Sequence, residues 1–273
     1  MPEAGRVDLP TPGHPGAMVE HALPHHLRRA WGVTGRPSTR GPKAVLSLER
    51  IVATAVELGD AGDASSISLT GVARRLGVTP NALYRHLGSR AELLVLAREH
   101  ALGVPGPRRR PTGDWDGEAL AWAQALRGRY LAHPWLVDGP VRLPVTPNAL
   151  TWFEALLEAL APAPYSTPEK LRLAALVDGY VRASVRAERD LVAADPPLAA
   201  DSPVVAAVGT LLADYDLPLV AAVFAERRYH EAPADEFDFG LACLLAGAGK
   251  LFTGVPPSRV PPASPSAGDA PQG

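Results

Sequence analysis

Four arginines and no acidic residue lie between residues 68 and 90, a stretch that also carries hydroxyl, amide and phenol groups. The arginines are Arg74, Arg75, Arg85 and Arg90. Phosphate groups repel carboxylates and release counterions to cationic side chains, so this charge balance suits contact with a polyanion. The stretch is therefore a candidate contact surface for a nucleic acid.

The same stretch has the pattern of two short helices joined by a tight turn. Ala73 gives the first helix a small inward residue, and Gly77 can adopt the positive φ of a sharp turn. Thr79 can cap the second helix, and Pro80 suits its first position. The apolar residues available for the core between the helices are Val72, Leu76, Val78, Leu83 and Leu87. The pattern predicts a helix-turn-helix, a motif whose second helix enters the major groove of DNA.

The chain on either side of this motif also has helical periodicity. Ser47 can cap a helix that precedes the motif, and Ser89 with Glu92 forms a capping box for the helix that follows it. Further helices are predicted over 114–133 and 148–161, from residue 167, and over 204–213 and 237–252. No stretch alternates as a strand would. The predicted fold class is all-α, with a three-helix helix-turn-helix domain followed by a helical bundle.

Changes in composition divide the sequence into four parts. Residues 1–42 and 256–273 are rich in proline and are predicted to be disordered, the first with a basic end. A proline-flanked break after residue 104 separates a predicted DNA-binding domain at 43–104 from a predicted ligand-binding and dimerisation domain at 113–255.

Charge and cysteine content restrict the classes of protein. Residues 1–110 carry 15 Lys and Arg against 9 Asp and Glu, and the remaining residues carry 12 against 20, so only the first half is expected to meet a polyanion. The single cysteine, Cys243, excludes an intrachain disulfide and a thiolate zinc site, and its apolar neighbours predict a core position. With no membrane-spanning stretch and no signal peptide in the sequence, we expect no membrane partner and a cytoplasmic location.

In the helix-turn-helix and the helix after it, the sequence resembles the TetR family of regulators. The resemblance is carried by Leu76-Gly77-Val78, Ala82-Leu83-Tyr84-Arg85-His86, Ser89-Arg90 and Leu93-Leu94, and it covers residues 45–101. A looser similarity to tetracycline-repressor-like C-terminal domains occurs at 133–136 and 237–241. The resemblance implies a homodimer that represses transcription by binding a palindromic double-stranded DNA operator, and that an unknown small-molecule effector releases.

The resemblance also implies which residues contact DNA. Asn81 would read a base, since its amide can pair bidentately with adenine. The resemblance implies base reading for Thr79, Pro80 and Asn81, phosphate or backbone contact for Thr70, Tyr84, His86 and Arg90, and further contact for Arg85. Lys43 of the basic arm is a further candidate, by analogy with the arms of other helix-turn-helix proteins.

These assignments have alternatives. Tyr84 can instead pack on the three-helix core, and Arg85 and His86 can be ordinary surface residues. The basic arm at 28–43 is either a minor-groove reader or a solvated tail.

In the second domain, the candidate ligand contacts are Trp122, Trp135, Trp152 and Tyr180. Aromatic residues at helical spacing are more often core, which is the alternative for each of them. Asp178 and Arg182 lie one helical turn apart. Either of them could anchor a ligand in a pocket, or the two could form an exposed ion pair. The helices at 167–193 and 237–252 are the predicted dimerisation pair, because small residues on their surfaces permit close approach.

Other classes of function have weaker support in the sequence. It contains no HExxH and no GxSxG motif, and residues 247–250 lack the spacing and the Ser or Thr of a phosphate loop, so we predict no enzyme. No cofactor and no metal site is predicted. The alternatives are an interaction module that keeps the helix-turn-helix only as structure and, closer to our prediction, a ligand-independent DNA-binding regulator.

Overall fold

The computed structural model describes residues 23–32, 46–106, 113–139, 145–192, 203–212, 215–226 and 233–252. Within these ranges the protein is helical and has no strand, which confirms the predicted all-α class. The α-helices of the described residues are α1 (His25–Arg28), α2 (Leu48–Asp60), α3 (Leu69–Leu76), α4 (Pro80–Leu83), α5 (Arg90–Leu102), α6 (Trp115–Ala132), α7 (Pro147–Leu160), α8 (Thr167–Val192), α9 (Pro203–Leu211), α10 (Pro218–Glu226) and α11 (Pro233–Phe252). Two 3-10 turns, at Ala64–Ser66 and Pro134–Asp138, complete the set.

Helices α2 to α5 form the head, which we define as residues 46–106. Helix α2 begins as predicted, because the Ser47 hydroxyl accepts a hydrogen bond from the Arg50 backbone N–H at 3.2 Å. Its apolar face packs against α3 and α5. Fully buried side chains of the head include Ile51, Ala55, Ile67, Val72, Leu83, Leu87, Leu93 and Ala97. They come from all four helices and the loops between them, so one core holds the short α3 and α4 in place.

Part of the N-terminal arm is ordered, which corrects the prediction of disorder for residues 1–42. Helix α1 packs on α5 and buries Leu27. A one-turn helix has little stability alone, so its order comes from this packing. The rest of the arm, including Lys43, and the predicted tail at 256–273 lie outside the described residues.

Helices α6 to α11 form the body, which we define as residues 113–252. The long α8 packs against α6, α7 and α11, and its buried stripe is Leu173, Ala174, Val177, Val181 and Val185. The five helices predicted in this region are present. Helix α10 was not predicted, since its segment is apolar on all sides and shows no helical period.

Helix α11 corrects the prediction that Cys243 lies in the core. Leu241 and Leu245 are buried, whereas Cys243 is exposed on another side of the helix. The apolar run goes all the way round α11, so hydrophobicity alone did not identify the buried face. Residues 247–250 are helical and form no phosphate loop.

The described helices do not combine the length and hydropathy that a membrane span requires. The described residues also contain no group of three or more His, Cys, Asp or Glu side chains that could hold a metal ion.

Candidate nucleic-acid interface

The turn between α3 and α4 has the geometry that the sequence predicts. Ala73 is 1% exposed, which allows the two helices to approach closely. Gly77 has a φ of 69°, in the left-handed region that favours glycine. The Val78 backbone N–H donates to the Ala73 carbonyl at 3.0 Å and closes the end of α3. These contacts confirm the helix-turn-helix.

The start of α4 differs from the sequence prediction in one detail. Pro80 occupies the first turn as predicted, but the Thr79 side chain makes no capping hydrogen bond. The backbone N–H of Ala82, the third residue of α4, donates instead to the Thr79 carbonyl at 3.0 Å. A one-turn helix thus satisfies its N-terminal donor through the backbone, and the predicted cap is wrong.

Seven of the residues assigned to DNA contact are exposed on the head. They are Thr70, Thr79, Pro80, Asn81, Tyr84, Arg85 and Arg90. Tyr84 is 55% exposed, so the alternative that it packs in the three-helix core does not hold. Thr70 and Arg74 line a surface cleft of about 420 Å³ next to this face. Polar and aromatic groups are therefore presented outward at the start of and just beyond α4.

His86 is half-buried and lies beside an acidic residue of another helix. The pKa of Glu49 is lowered by hydrogen bonds from its own backbone N–H and the Ser47 hydroxyl, and the charge of His86 adds to this effect. Although residues 68–90 contain no acid, α2 therefore brings one close to this end of the surface.

Arg90 has an intramolecular role that the sequence did not indicate. Its Nε donates to the Ile67 carbonyl at 2.9 Å, and its Nη2 lies 3.4 Å from the Ala64 carbonyl. These bonds tie the first turn of α5 to the loop before α3. Phosphate contact by Arg90 stays a prediction, but the residue already stabilises the head.

The capping box at the start of α5 forms only in part. The Ser89 hydroxyl accepts from the Glu92 N–H at 3.1 Å, as predicted. The Glu92 carboxylate does not return to Ser89: Oε2 accepts from the Gly88 N–H at 2.7 Å, and Oε1 lies 2.6 Å from Arg29 Nε. Glu92 is 1% exposed, so this ion pair is buried on the acidic side and anchors the arm to the head.

Asp60, the last residue of α2, connects the head to the body. Its Oδ1 accepts a hydrogen bond from Trp135 Nε1 at 2.7 Å and lies 2.9 Å from His133 Nδ1. The Trp135 indole packs directly on Gly59, where a Cβ would come within 2.7 Å of the ring. Gly59 lies in the last turn of α2, and only glycine fits against the indole.

A second connection joins α5 to α7. The Asn148 backbone N–H donates to Glu99 Oε2 at 2.8 Å, and the Asn148 side-chain amide donates to the Glu99 carbonyl at 2.8 Å. Thr146 makes no side-chain cap, so a carboxylate from α5 satisfies an N-terminal donor of α7. Trp152 Nε1 donates to the Gly103 carbonyl at 3.1 Å. These hydrogen bonds join the start of α7 to the last helix of the head.

Comparison with known proteins identifies the family. The family described as "Tetracyclin repressor-like, C-terminal domain" matches residues 107–251, more than half of the 273 residues. The chain belongs to the TetR family.

Two curated relatives of this TetR-family chain are regulators. The HTH-type transcriptional repressor DrrR1 of Streptomyces coeruleorubidus is 32% identical over 160 residues, which are 57% of this chain and 58% of that protein. An HTH-type transcriptional regulator of Saccharopolyspora erythraea is 32% identical over 147 residues, 54% of this chain and 62% of that protein. The matches span less than two thirds of the length of either relative.

Solved structures share the TetR fold. The transcriptional regulator SCO7222, a TetR from Streptomyces coelicolor, matches with a TM-score of 0.57 and 25% identity over 76% of this chain and 99% of that one. ActR, a TetR family protein of the same organism in complex with actinorhodin, matches with a TM-score of 0.63 and 22% identity over 79% of this chain and 100% of that one. At 22% identity, the similarity to ActR is evidence for the fold alone.

The four aromatic residues predicted to contact ligand lie in three separate places in this TetR-family body. Trp122 and Trp152 meet edge to face at 6.0 Å, and Trp122 Nε1 donates to the Trp152 carbonyl at 2.9 Å. Trp135 lies at the junction with the head, and the Tyr180 hydroxyl donates to the Phe237 carbonyl at 3.0 Å. Their polar atoms have partners within the protein, as the core alternative expects. Ligand contact by these residues stays a prediction.

Proposed function

We propose that this TetR-family protein is a DNA-binding transcriptional repressor and not an enzyme. The observation that carries the proposal is the exposed face around Asn81, Tyr84 and Arg85, set in a stretch with four arginines and no acid. Buried contacts beneath α4 hold this face rigid, which base reading requires. The two curated relatives support it, because one carries the name of a transcriptional repressor and the other that of a transcriptional regulator.

The protein acts as a homodimer through the outer faces of α8 and α11. Phe239 is 72% exposed and Leu176 is 55% exposed, and small residues surround them. The exposed small residues are Ala175, Ala183 and Ala187 on α8 and Ala242, Cys243 and Ala246 on α11. Single exposed apolar residues are common, but two long helices that both expose a large apolar residue among small ones favour a protein interface. A two-fold dimer would present two heads to a palindromic operator.

A small molecule bound in the body releases the operator. The support comes from the contacts between head and body. Asp60 of α2 bonds to Trp135 and Glu99 of α5 bonds to Asn148, so displaced body helices would move the head. A regulator of similar fold has been crystallised with actinorhodin, which is consistent with a body that accepts small molecules. The alternative, a ligand-independent DNA-binding regulator, is favoured by the tight packing of the four aromatic side chains.

The test is selection of bound duplexes from a random-sequence DNA pool, followed by fluorescence anisotropy at several salt concentrations. Asn81→Ala should lose discrimination at one base position of each half-site, by about 1–3 kcal/mol. Arg85→Ala should weaken binding to all sequences and lower the salt slope by about one per head. Glu154→Ala, which removes an exposed charge of α7 away from both proposed surfaces, is the control and should change neither. Equal weakening of every sequence by Asn81→Ala would contradict the base-reading role.

A further inference from the structure

The N-terminal segment at residues 23–32, which we call the strap, contacts both the head and the body. On the head side, Arg29 Nε lies 2.6 Å from Oε1 of the buried Glu92, near the start of α5. A Cβ at Gly88 would come within 2.7 Å of His25 Cε1, so the His25 ring packs directly on the turn before α5. The strap is therefore held against the beginning of the last helix of the head.

The other end of the strap contacts the body. Trp31 Nε1 donates a hydrogen bond to the Val145 carbonyl at 2.9 Å, just before α7 begins. The backbone between the two contacts is helical, because the Trp31 N–H donates to the Leu27 carbonyl at 3.3 Å. The Gly32 N–H donates to the Arg29 carbonyl at 3.0 Å and extends this turn. A short, hydrogen-bonded piece of backbone thus joins the contact with the head to the contact with the body.

Val145 belongs to a segment that already contacts the head. In the same segment, the Asn148 backbone N–H donates to Glu99 Oε2 at 2.8 Å. Glu92 and Glu99 are two helical turns apart on α5 and therefore lie on the same side of that helix. The strap, α5 and residues 145–148 thus contact one another in pairs. Two elements that meet at one place can pivot there, but three that contact in pairs cannot pivot without breaking a contact.

We infer that the strap, through Trp31, determines which operators the protein accepts, because it fixes the angle between head and body and so selects the spacing of the two half-sites. The inference rests on the proposed homodimer and on its proposed binding to DNA. One base pair added between half-sites moves one of them by about 3.4 Å and turns it by about 34° around the DNA axis. Two heads held at a fixed angle fit one spacing, whereas heads that pivot accept several.

This role differs from direct contact between the strap and DNA. Arg28 Nε donates to the Leu23 carbonyl at 3.0 Å, and Arg29 is paired with Glu92, so both arginines of the strap bond within the protein. The indole N–H of Trp31 is likewise bonded to the body. Loss of the Trp31 contact should therefore change the preference for half-site spacing and leave the salt slope as it is.

The test measures dissociation constants by fluorescence anisotropy on duplexes that carry two selected half-sites at spacings differing by one base pair. For the wild type, we expect the best spacing to bind at least about tenfold more tightly than a spacing two base pairs longer. Trp31→Phe keeps an aromatic ring but removes the N–H donor, and it should lower this ratio by about twofold or more, the effect of one hydrogen bond. Trp31→Ala should lower it by about fivefold or more. Both variants should bind a duplex with a single half-site as the wild type does.

Hydrogen exchange of the free protein tests the strap without DNA. Trp31→Ala should speed exchange at the Asn148 N–H, which lies at the same junction, and leave exchange at the buried Leu241 of α11 unchanged. The control is Tyr215→Ala, which removes an exposed aromatic side chain between α9 and α10 and should alter neither the spacing ratio nor the exchange at Asn148.

Circular dichroism reports whether each variant folds, and Trp31→Phe carries the test if Trp31→Ala does not fold. The inference is overturned if the wild type binds all spacings equally, if a folded variant keeps the wild-type ratio, or if it weakens every spacing and the single half-site by the same factor. Unchanged exchange at Asn148 in folded Trp31→Ala would also overturn it. Absence of DNA binding by the wild type refutes the proposed function, whereas DNA binding with an unaltered spacing ratio in the variants refutes this inference alone.

Discussion

Removal of Arg29 should destabilise the protein far more than a surface substitution in a proline-rich arm normally does. Its partner Glu92 is 1% exposed and keeps only the Gly88 N–H at 2.7 Å once the guanidinium is gone. Breaking a buried ion pair from one side costs about 3–5 kcal/mol, because the remaining charge stays buried. Arg29 itself is 33% exposed, so water can approach the gap, and we expect Arg29→Met to cost about 3 kcal/mol, the lower end of this range.

The assay is urea unfolding at a fixed protein concentration, followed by circular dichroism. Arg28→Met is the matched control: Arg28 Nε donates one hydrogen bond to the Leu23 carbonyl, so its loss should cost about 1 kcal/mol or less. The double variant Arg29→Met with Glu92→Gln should recover most of the lost stability, since it removes the buried charge and keeps an acceptor for Gly88. If Arg29→Met and Arg28→Met lowered the free energy of unfolding equally, the buried-pair argument would be wrong.

Three further predictions use other contacts. Gly59→Ala should force the Trp135 indole away, lower the midpoint of thermal unfolding and change tryptophan fluorescence, which unaltered emission would contradict. Phe239→Glu should shift the mass measured by light scattering towards the monomer, whereas Val104→Glu, an equally apolar exposed position on the head, should not; equal effects would argue against the α8 and α11 interface. Arg90→Ala should lower the stability of the head by roughly 1–2 kcal/mol, because it removes hydrogen bonds from a charged donor to backbone carbonyls, and a variant of wild-type stability would show that these bonds contribute nothing.

The features predicted correctly from the sequence are those set by neighbouring residues. Gly77 is needed where the backbone has positive φ, Pro80 fits the first turn of a helix, and Ser47 caps the helix that directly follows it. Each depends on interactions within a few positions of the chain. Local chemistry was therefore sufficient to predict the helix-turn-helix and the all-α class.

The missed features depend on contacts between distant segments. Glu92 was expected to complete a local capping box, but a residue 63 positions earlier, Arg29, competes for its carboxylate. Nothing in the arm indicates this pairing. Likewise, Trp135 and Trp152 could be recognised as core or ligand candidates, but their hydrogen-bond partners in other elements were not visible in the sequence.

Ion pairs and hydrogen bonds of the body illustrate the same limit. Asp178 and Arg182 have the spacing of an ion pair, which the structure contains at 2.8 Å. Trp31 lies in the arm, and only the fold brings its indole to the Val145 carbonyl. A single sequence therefore indicates which residues can pair along one helix, but not which distant segments come together.

The proposal that the head reads DNA sequence is tested most directly by a ratio of two dissociation constants at physiological salt. One is for the duplex that the protein selects from a random pool, and the other is for a scrambled duplex of the same length and composition. We predict that the selected duplex binds at least about 10³-fold more tightly and that both affinities fall as salt rises. A ratio near one, or an affinity that salt does not change, would contradict the account.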